Sequence, residues 1–183
     1  MSAEDNEILW YAMRAYKSER RVEDLMKTQS TLECFVAKRY ELRTYHGTRL
    51  RKLVPLIPSL IFIRGRKSDI QRFKQKHQCI QYMGSVAENG KFKALVVPDE
   101  QMQAFIKVAN EYESDVKYMN TSEVLLIKGS RVRIIGGTFD GVEGILLYDK
   151  EKNSNRVVVS LPDNLGSITT ADISLDLIEV LND

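Results

Sequence analysis

The chain has 183 residues, 43% hydrophobic and 28% charged, with a net charge of +2, the balance of a soluble protein of one ordinary domain or two small ones. Its longest apolar run, Leu53 to Ile63, spans 11 residues and includes two prolines, too short for a membrane helix of about 20 residues. Met1 to Glu7 is acidic and polar, without the regions of a signal peptide, and the two cysteines (Cys34, Cys79) and two histidines (His46, His77) have no metal-type spacing. A reducing cytoplasm is expected, with no disulfide framework, metal or cofactor.

The charge is unevenly placed. Residues 1–114 carry a net +6 and residues 115–183 a net −4, and within 38–76 twelve basic residues meet two acidic ones. Such a field attracts polyanions, nucleic acid first among them, although a solvated basic surface has the same composition.

In chain order, Ile8 to Tyr16 reads as a strand, followed by a helix from Ser18 to about Gln29 with Ser18 as N-cap and Val22, Leu25 and Met26 on its apolar side. Glu33 to Arg43 reads as one strand with imperfect alternation, His46-Gly47 as a hairpin tip and Arg49 to Leu56 as the returning strand. Pro55 and Pro58 exclude a helix interior. Ser59 to Ile63 is then a strand with Leu60 and Phe62 on one face and Ile61 and Ile63 on the other. Both faces are apolar, so both need cover.

Ser68 opens a short helix to about Lys76 with Ile70 and Phe73 inward, and short strands at 80–86 and 94–97 flank a Glu88-Asn89-Gly90 turn. Pro98-Asp99-Glu100 starts the longest helix, to about Glu113, with Met102, Phe105, Ile106 and Ala109 on one stripe. This order predicts an α+β domain with an antiparallel sheet flanked by helices, residues 1–114. Residues 115–122 lack periodicity and read as a linker. From Glu123 to Asp183, the stretch Val124 to Asp149 reads as strand, turn, strand, turn, strand, and further short strands at 156–161, 167–170 and 177–181, with Pro162, Asn164 and Gly166 between them, predict a small closed β-barrel.

Three features, in this order and spacing, resemble the NusG family of transcription elongation factors, which pair an NGN domain with a KOW domain. They are Trp10-Tyr11 opening the first strand, the L-I-P-S-L-I-F-I run at 56–63, and Gly129-Ser130-Arg131-Val132-Arg133-Ile134 followed by Gly137 to Gly144. The resemblance covers about Leu9 to Leu181 and implies an NGN-like N-terminal domain followed by an SH3-like KOW barrel. Ser59 and Leu60 replace the Gly-Tyr pair commonest after the proline in the family, and Ile57 replaces an aromatic. With the basic 38–76 segment, these departures resemble specialised paralogues of the UpxY kind, which act on capsular polysaccharide operons in Bacteroidales.

The resemblance implies that an apolar surface of Ile57, Leu60 and Phe62, with Met102 and Phe105 of the long helix, grips the clamp helices of RNA polymerase, a helix-in-groove contact; ordinary core packing fits the same residues. It implies that Lys17, Arg20 and Arg21, with Lys74 and Lys76, lie near DNA or nascent RNA, and leaves open whether Arg14 or His77 reads a nucleic-acid element. Phe139 and Val142 sit where family members meet a ribosomal protein or Rho; plugging the barrel end is the other reading. A monomeric, non-catalytic antiterminator is expected, since no GxSxG, P-loop or paired-carboxylate pattern is present. The rival expectation is an RNA- or ribosome-binding KOW protein without polymerase contact. Local β preference at Val157-Val158-Val159 and Ile168-Thr169-Thr170 favours a barrel over the helical hairpin of the RfaH branch.

Overall fold

Trp10-Tyr11 begins a run that is apolar on both sides, and in the computed structural model that run lies inside a sheet. The structure describes residues 6–16, 18–111, 115–119, 123 and 129–181. It is a mixed α+β fold with antiparallel sheets, and it divides into two compact units, 1–99 and 100–183.

In the first unit, β1 (Ile8–Arg14) leads into α1 (Glu19–Met26), β2 (Glu33–Phe35), β3 (Lys38–Tyr45), β4 (Thr48–Pro55), β5 (Leu60–Arg66) and α2 (Lys67–His77). Short strands follow: β6 (Gln81–Tyr82), β7 (Gly84–Val86), β8 (Phe92–Ala94) and β9 (Val96–Val97). The main sheet runs β2-β5-β1-β6, with β9 also paired to β1. Its central pair is β1 with β5, where Ala12 stands opposite Phe62 and Tyr11 opposite Ile63.

Alternation sorts the side chains of this pair as period two requires. Tyr11, Met13, Ile61 and Ile63 join Val22 and Met26 of α1 and Ile70 and Phe73 of α2 in one buried core. Removing these side chains from water is the main term holding the helices to the sheet, about 1.5–3 kcal/mol for each large one. The opposite face carries Trp10, Ala12, Leu60 and Phe62.

Two helix starts differ from expectation. Ser18 stands at the N-cap of α1, but its hydroxyl donates to the Ala15 carbonyl at 2.6 Å and makes no cap bond. Arg66, not Ser68, holds the N-cap position of α2. The expected single strand from Glu33 to Arg43 is two strands: β2 pairs with β5 in the main sheet, whereas β3 leaves it and pairs only with β4. The break falls at Val36-Ala37, both buried, where the chain turns out of the sheet. His46-Gly47 forms the predicted tip, and both residues have positive φ (47° and 77°), as a two-residue hairpin loop of the I′ kind demands.

The second unit contains most of α3 (Asp99–Ala109), then β10 (Lys117–Met119), β11 (Arg131–Ile134), β12 (Glu143–Asp149), β13 (Ser154–Ser160), β14 (Ser167–Thr169) and β15 (Ile178–Val180). The stripe of α3 is displaced slightly from expectation: Met102, Phe105, Val108 and Ala109 are buried, while Ile106 is half-buried. Strand order is β10-β14-β13-β12-β11-β15, and among the described residues the two end strands do not pair with each other. The first strand expected after Glu123 falls on residues outside those described.

Two features lie at the junction of the expected regions. Residues 117–119, expected in the linker, form β10, with Tyr118 opposite Ile168. The division between units falls after Asp99 instead of at 114. Both follow from bonds made by residues past 99: Lys107 donates to the Asp140 carbonyl, and Asp115 is held by Arg156 and Lys152.

Arg156 is 2% exposed. Its guanidinium reaches the Thr170 carbonyl at 3.0 Å and the Asp115 carboxylate at 2.5 Å, with Asp149 3.6 Å from Nε. A guanidinium this deep in a small sheet is stable only with such partners. Lys117 pairs with Asp149 at 3.1 Å, so β10 is tied to the strands that follow it by charge as well as by backbone bonds.

Candidate interaction surfaces

The first candidate surface is the second face of the β1–β5 pair. Register places Phe35, Phe62 and Ala12 in one row across β2, β5 and β1, and Glu33, Arg64, Trp10 and Val97 in the next. Arg64 bonds Glu33 at 3.2 Å and lies 3.7 Å from Asp99. Pro58 and Ser59 form the bend into β5, and Ser59 takes φ of 64°, a conformation an L residue adopts at a cost and glycine freely. Two hydrogen bonds hold the bend: Ala15 N–H to the Ser59 carbonyl at 2.8 Å and Ser59 N–H to the Glu19 carboxylate at 2.6 Å.

The residues expected to contact polymerase are not open surface. Leu60 is 6% exposed, Phe62 1%, and Met102 and Phe105 0%. Only Ile57, half-buried, reaches solvent. Ile57, Leu60 and Phe62 belong to the first unit, and Met102 and Phe105 to the second. Alternation along the sequence correctly separates Phe62 from Ile61, but carries no information on what covers a face.

Basic residues make the second candidate. Arg20 and Arg21 are exposed on α1 and line an open groove with Lys52, Leu53, Val54 and Pro55 of β4. Lys74 is half-buried on α2, beside a shallow depression formed with Lys67, Tyr82 and Phe92, and Lys76 is exposed. Lys17 lies outside the described residues. Arg14 is exposed, its guanidinium 5.8 Å from the Tyr16 ring, and His77 is half-buried with its ring 4.5 Å from Phe73. The groove beside α1 brings two of the predicted cations next to the β3–β4 hairpin. Its basic composition and His46-Gly47 tip are the signals that mark it.

In the second unit, the turn between β11 and β12 has the geometry its glycines suggest. Gly137 and Gly141 take φ of 70° and 78°, and the Asp140 carboxylate accepts the Gly136 N–H at 2.5 Å. Phe139 and Val142, expected to be presented to partners, are 5% and 1% exposed. Their side chains pack inward because the turn folds back on itself, Ile134 N–H bonding the Val142 carbonyl at 2.9 Å and Val142 N–H the Phe139 carbonyl at 3.0 Å.

Cys34 is not poised for chemistry. Burial pushes the Cys34 thiol up to about 12, so it stays protonated and a poor nucleophile at neutral pH. Among the described residues, no helix is long and apolar enough to cross a membrane. Set against known proteins, the chain matches no family model and no curated protein.

Proposed function

We propose that the chain is a transcription elongation regulator of the NusG kind, an antiterminator with an NGN-like first domain and an SH3-like KOW second domain. The observation that carries this reading is the pairing of the Trp10-Tyr11 strand with the strand after Pro58, Ala12 against Phe62. Those are two of the three motifs on which the resemblance rests, side by side in one sheet. The G-T-F-D-G-V-E-G stretch, a glycine-shaped turn after β11 that runs into β12, supports the second half of the reading.

On this reading Ile57, Leu60, Phe62, Met102 and Phe105 bind the clamp helices of RNA polymerase, and Arg20, Arg21, Lys74 and Lys76 lie near DNA or nascent RNA. No bond is made or broken: binding shifts a conformational equilibrium of the polymerase toward the elongating form. Because Leu60 and Phe62 are buried, the binding-competent state is one in which they are uncovered, and apparent affinity is lowered by the fraction of molecules in that state. The acidic second domain binds a protein partner, a ribosomal protein or Rho. The departures at Ile57, Ser59 and Leu60 favour an operon-specific paralogue of the UpxY kind.

Transcription by purified RNA polymerase on a template with a pause site and a terminator tests the reading. Added protein is expected to shorten pausing and raise read-through; unchanged patterns at saturating protein would contradict it. The rival, an RNA- or ribosome-binding protein without polymerase contact, rests on the exposed basic residues alone and predicts unchanged patterns.

A further inference from the structure

The β3–β4 hairpin is a sheet of its own, and every residue from Leu42 to Leu53 is exposed. Eight cross-strand pairs, Lys38–Pro55 to Tyr45–Thr48, make it a ribbon about 25 Å long at roughly 3.4 Å per residue. Its root is fixed to the unit by Leu56 N–H bonding the Ala37 carbonyl at 2.8 Å and by Lys38 pairing with Glu23 at 2.6 Å. Beyond the root it projects as an arm.

Its side chains are unlike those of an ordinary solvated hairpin. Residues 38–55 hold six basic side chains and one acidic one, and that one, Glu41, is engaged by Arg43 at 3.3 Å. Large apolar groups stand among the cations, with Leu42 70% exposed, Tyr45 67% and Leu50 51%. Directly opposed residues of an antiparallel pair share a face. The register therefore places Arg49 and Arg51 with Tyr40 and Leu42 on one face, and Arg39, Arg43 and Lys52 with Leu50 and Tyr45 on the other.

That two-sided charge selects the occupant. A flat acidic protein or an anionic membrane meets one face of a ribbon and leaves the other cations solvated. A nucleic-acid groove has phosphate walls on both sides. The major groove of B-form DNA, about 12 Å wide, admits a two-stranded ribbon, whereas the deep, narrow major groove of duplex RNA does not. Addition of a partner strand to the edge is disfavoured by the same arginines, since charged edge residues block it. We propose that the β3–β4 hairpin is a DNA-binding arm that lies in the groove of a duplex, its cations meeting phosphates on both sides and its exposed leucines and tyrosine touching the groove floor.

The arm acts without polymerase, so its test is separate from that of the reading above. Fluorescence anisotropy of the full chain with a labelled mixed-sequence DNA duplex of about 20 base pairs is measured across a salt series, with thermal unfolding as a fold check. Replacing Arg39, Arg43 and Arg49 together by serine is expected to weaken binding at least tenfold. The slope of log affinity against log salt should fall by about 2–3, near 0.9 for each phosphate no longer neutralised. The matching triple replacement by lysine is expected to bind within a few-fold of wild type. Serine at Lys91, Lys93 and Lys150, exposed lysines outside the hairpin, should change affinity less than about twofold. The proposal is overturned if the wild type does not bind, if the hairpin variant binds like wild type, or if the control variant is weakened as much. Tighter binding to single-stranded DNA, duplex RNA or anionic vesicles than to duplex DNA also overturns it.

Discussion

The Glu19 carboxylate accepts the backbone N–H of Ser59 at 2.6 Å, across 40 positions of sequence. It joins the first turn of α1 to the bend that delivers Leu60 and Phe62 into the sheet. Glu19 is only 9% exposed, so water does not readily replace the bond. Glu19→Ala leaves a partly buried donor unmade and is expected to cost about 1–3 kcal/mol. Glu19→Gln keeps an acceptor and should cost less. Urea unfolding distinguishes the two; equal stability of wild type and Glu19→Ala would show that the bond contributes nothing.

Ser59 itself makes the opposite prediction. Its φ of 64° is a left-handed conformation that costs an L residue on the order of 1 kcal/mol, while glycine gives back part of that gain through a freer unfolded chain. Ser59→Gly should raise stability by about 0.5–1 kcal/mol, a rise in Tm of roughly 1–4 °C for a chain of this size. Thermal unfolding followed by circular dichroism checks the sign.

At Gly144 the backbone of β13 leaves no room. A Cβ built there would overlap the Val158 carbonyl oxygen and crowd Val157. Backbone does not yield as a flexible side chain does, so Gly144→Ala should destabilise by about 1–3 kcal/mol or displace the β12–β13 pairing. Tm together with amide exchange at Val157 and Val158 separates this from a tolerated change.

Acid should weaken the second unit through Asp115. The side-chain hydrogen bond from Lys152, opposed by burial and reinforced by Arg156, holds its carboxyl below the ordinary value of 3.8. Asp149 is lowered in the same sense, first by its bond from Lys117. In the unfolded chain both carboxylates protonate first as pH falls. Their stabilisation is therefore complete above about pH 4–5 and is lost as pH drops through the folded-state values. Unfolding measured between pH 6 and pH 2.5 should show stability falling below about pH 4, with a shallower fall in Asp115→Asn. A profile identical in the variant would show that Asp115 has no part in the acid dependence.

The parts of the fold legible in the sequence are those whose cause is local. Prolines 55 and 58 and the alternation from Leu60 to Ile63 identify β5 and its two faces, and His46-Gly47 identifies a hairpin tip. The split between β2 and β3 was not legible, because Val36-Ala37 carries no glycine or proline to mark where the chain leaves the sheet. Nor was β10: Lys117-Tyr118-Met119 is half-buried throughout and shows no alternation. Its pairing depends on Gly166, where a Cβ would run into the Tyr118 ring, and on Arg156 reaching Asp115 across 41 positions. The apolar face of the candidate site was legible as a face that needs cover, and what covers it was not. Burial depends on what lies over β5, which periodicity within β5 does not encode.

Ile57 is the place to test polymerase binding beside Pro58. Leu60 and Phe62 are buried, so charged substitutions there would confuse a failure to bind with a failure to fold. A photo-crosslinking amino acid at position 57, which keeps partial exposure, reports proximity without removing core. The full chain carrying it is mixed with core RNA polymerase and irradiated, and the crosslinked subunit is identified by mass spectrometry. A crosslink to the clamp helices of the largest subunit is expected, suppressed by excess unlabelled protein. A stable complex crosslinked elsewhere, or no complex at any concentration tested, would contradict polymerase binding at this site.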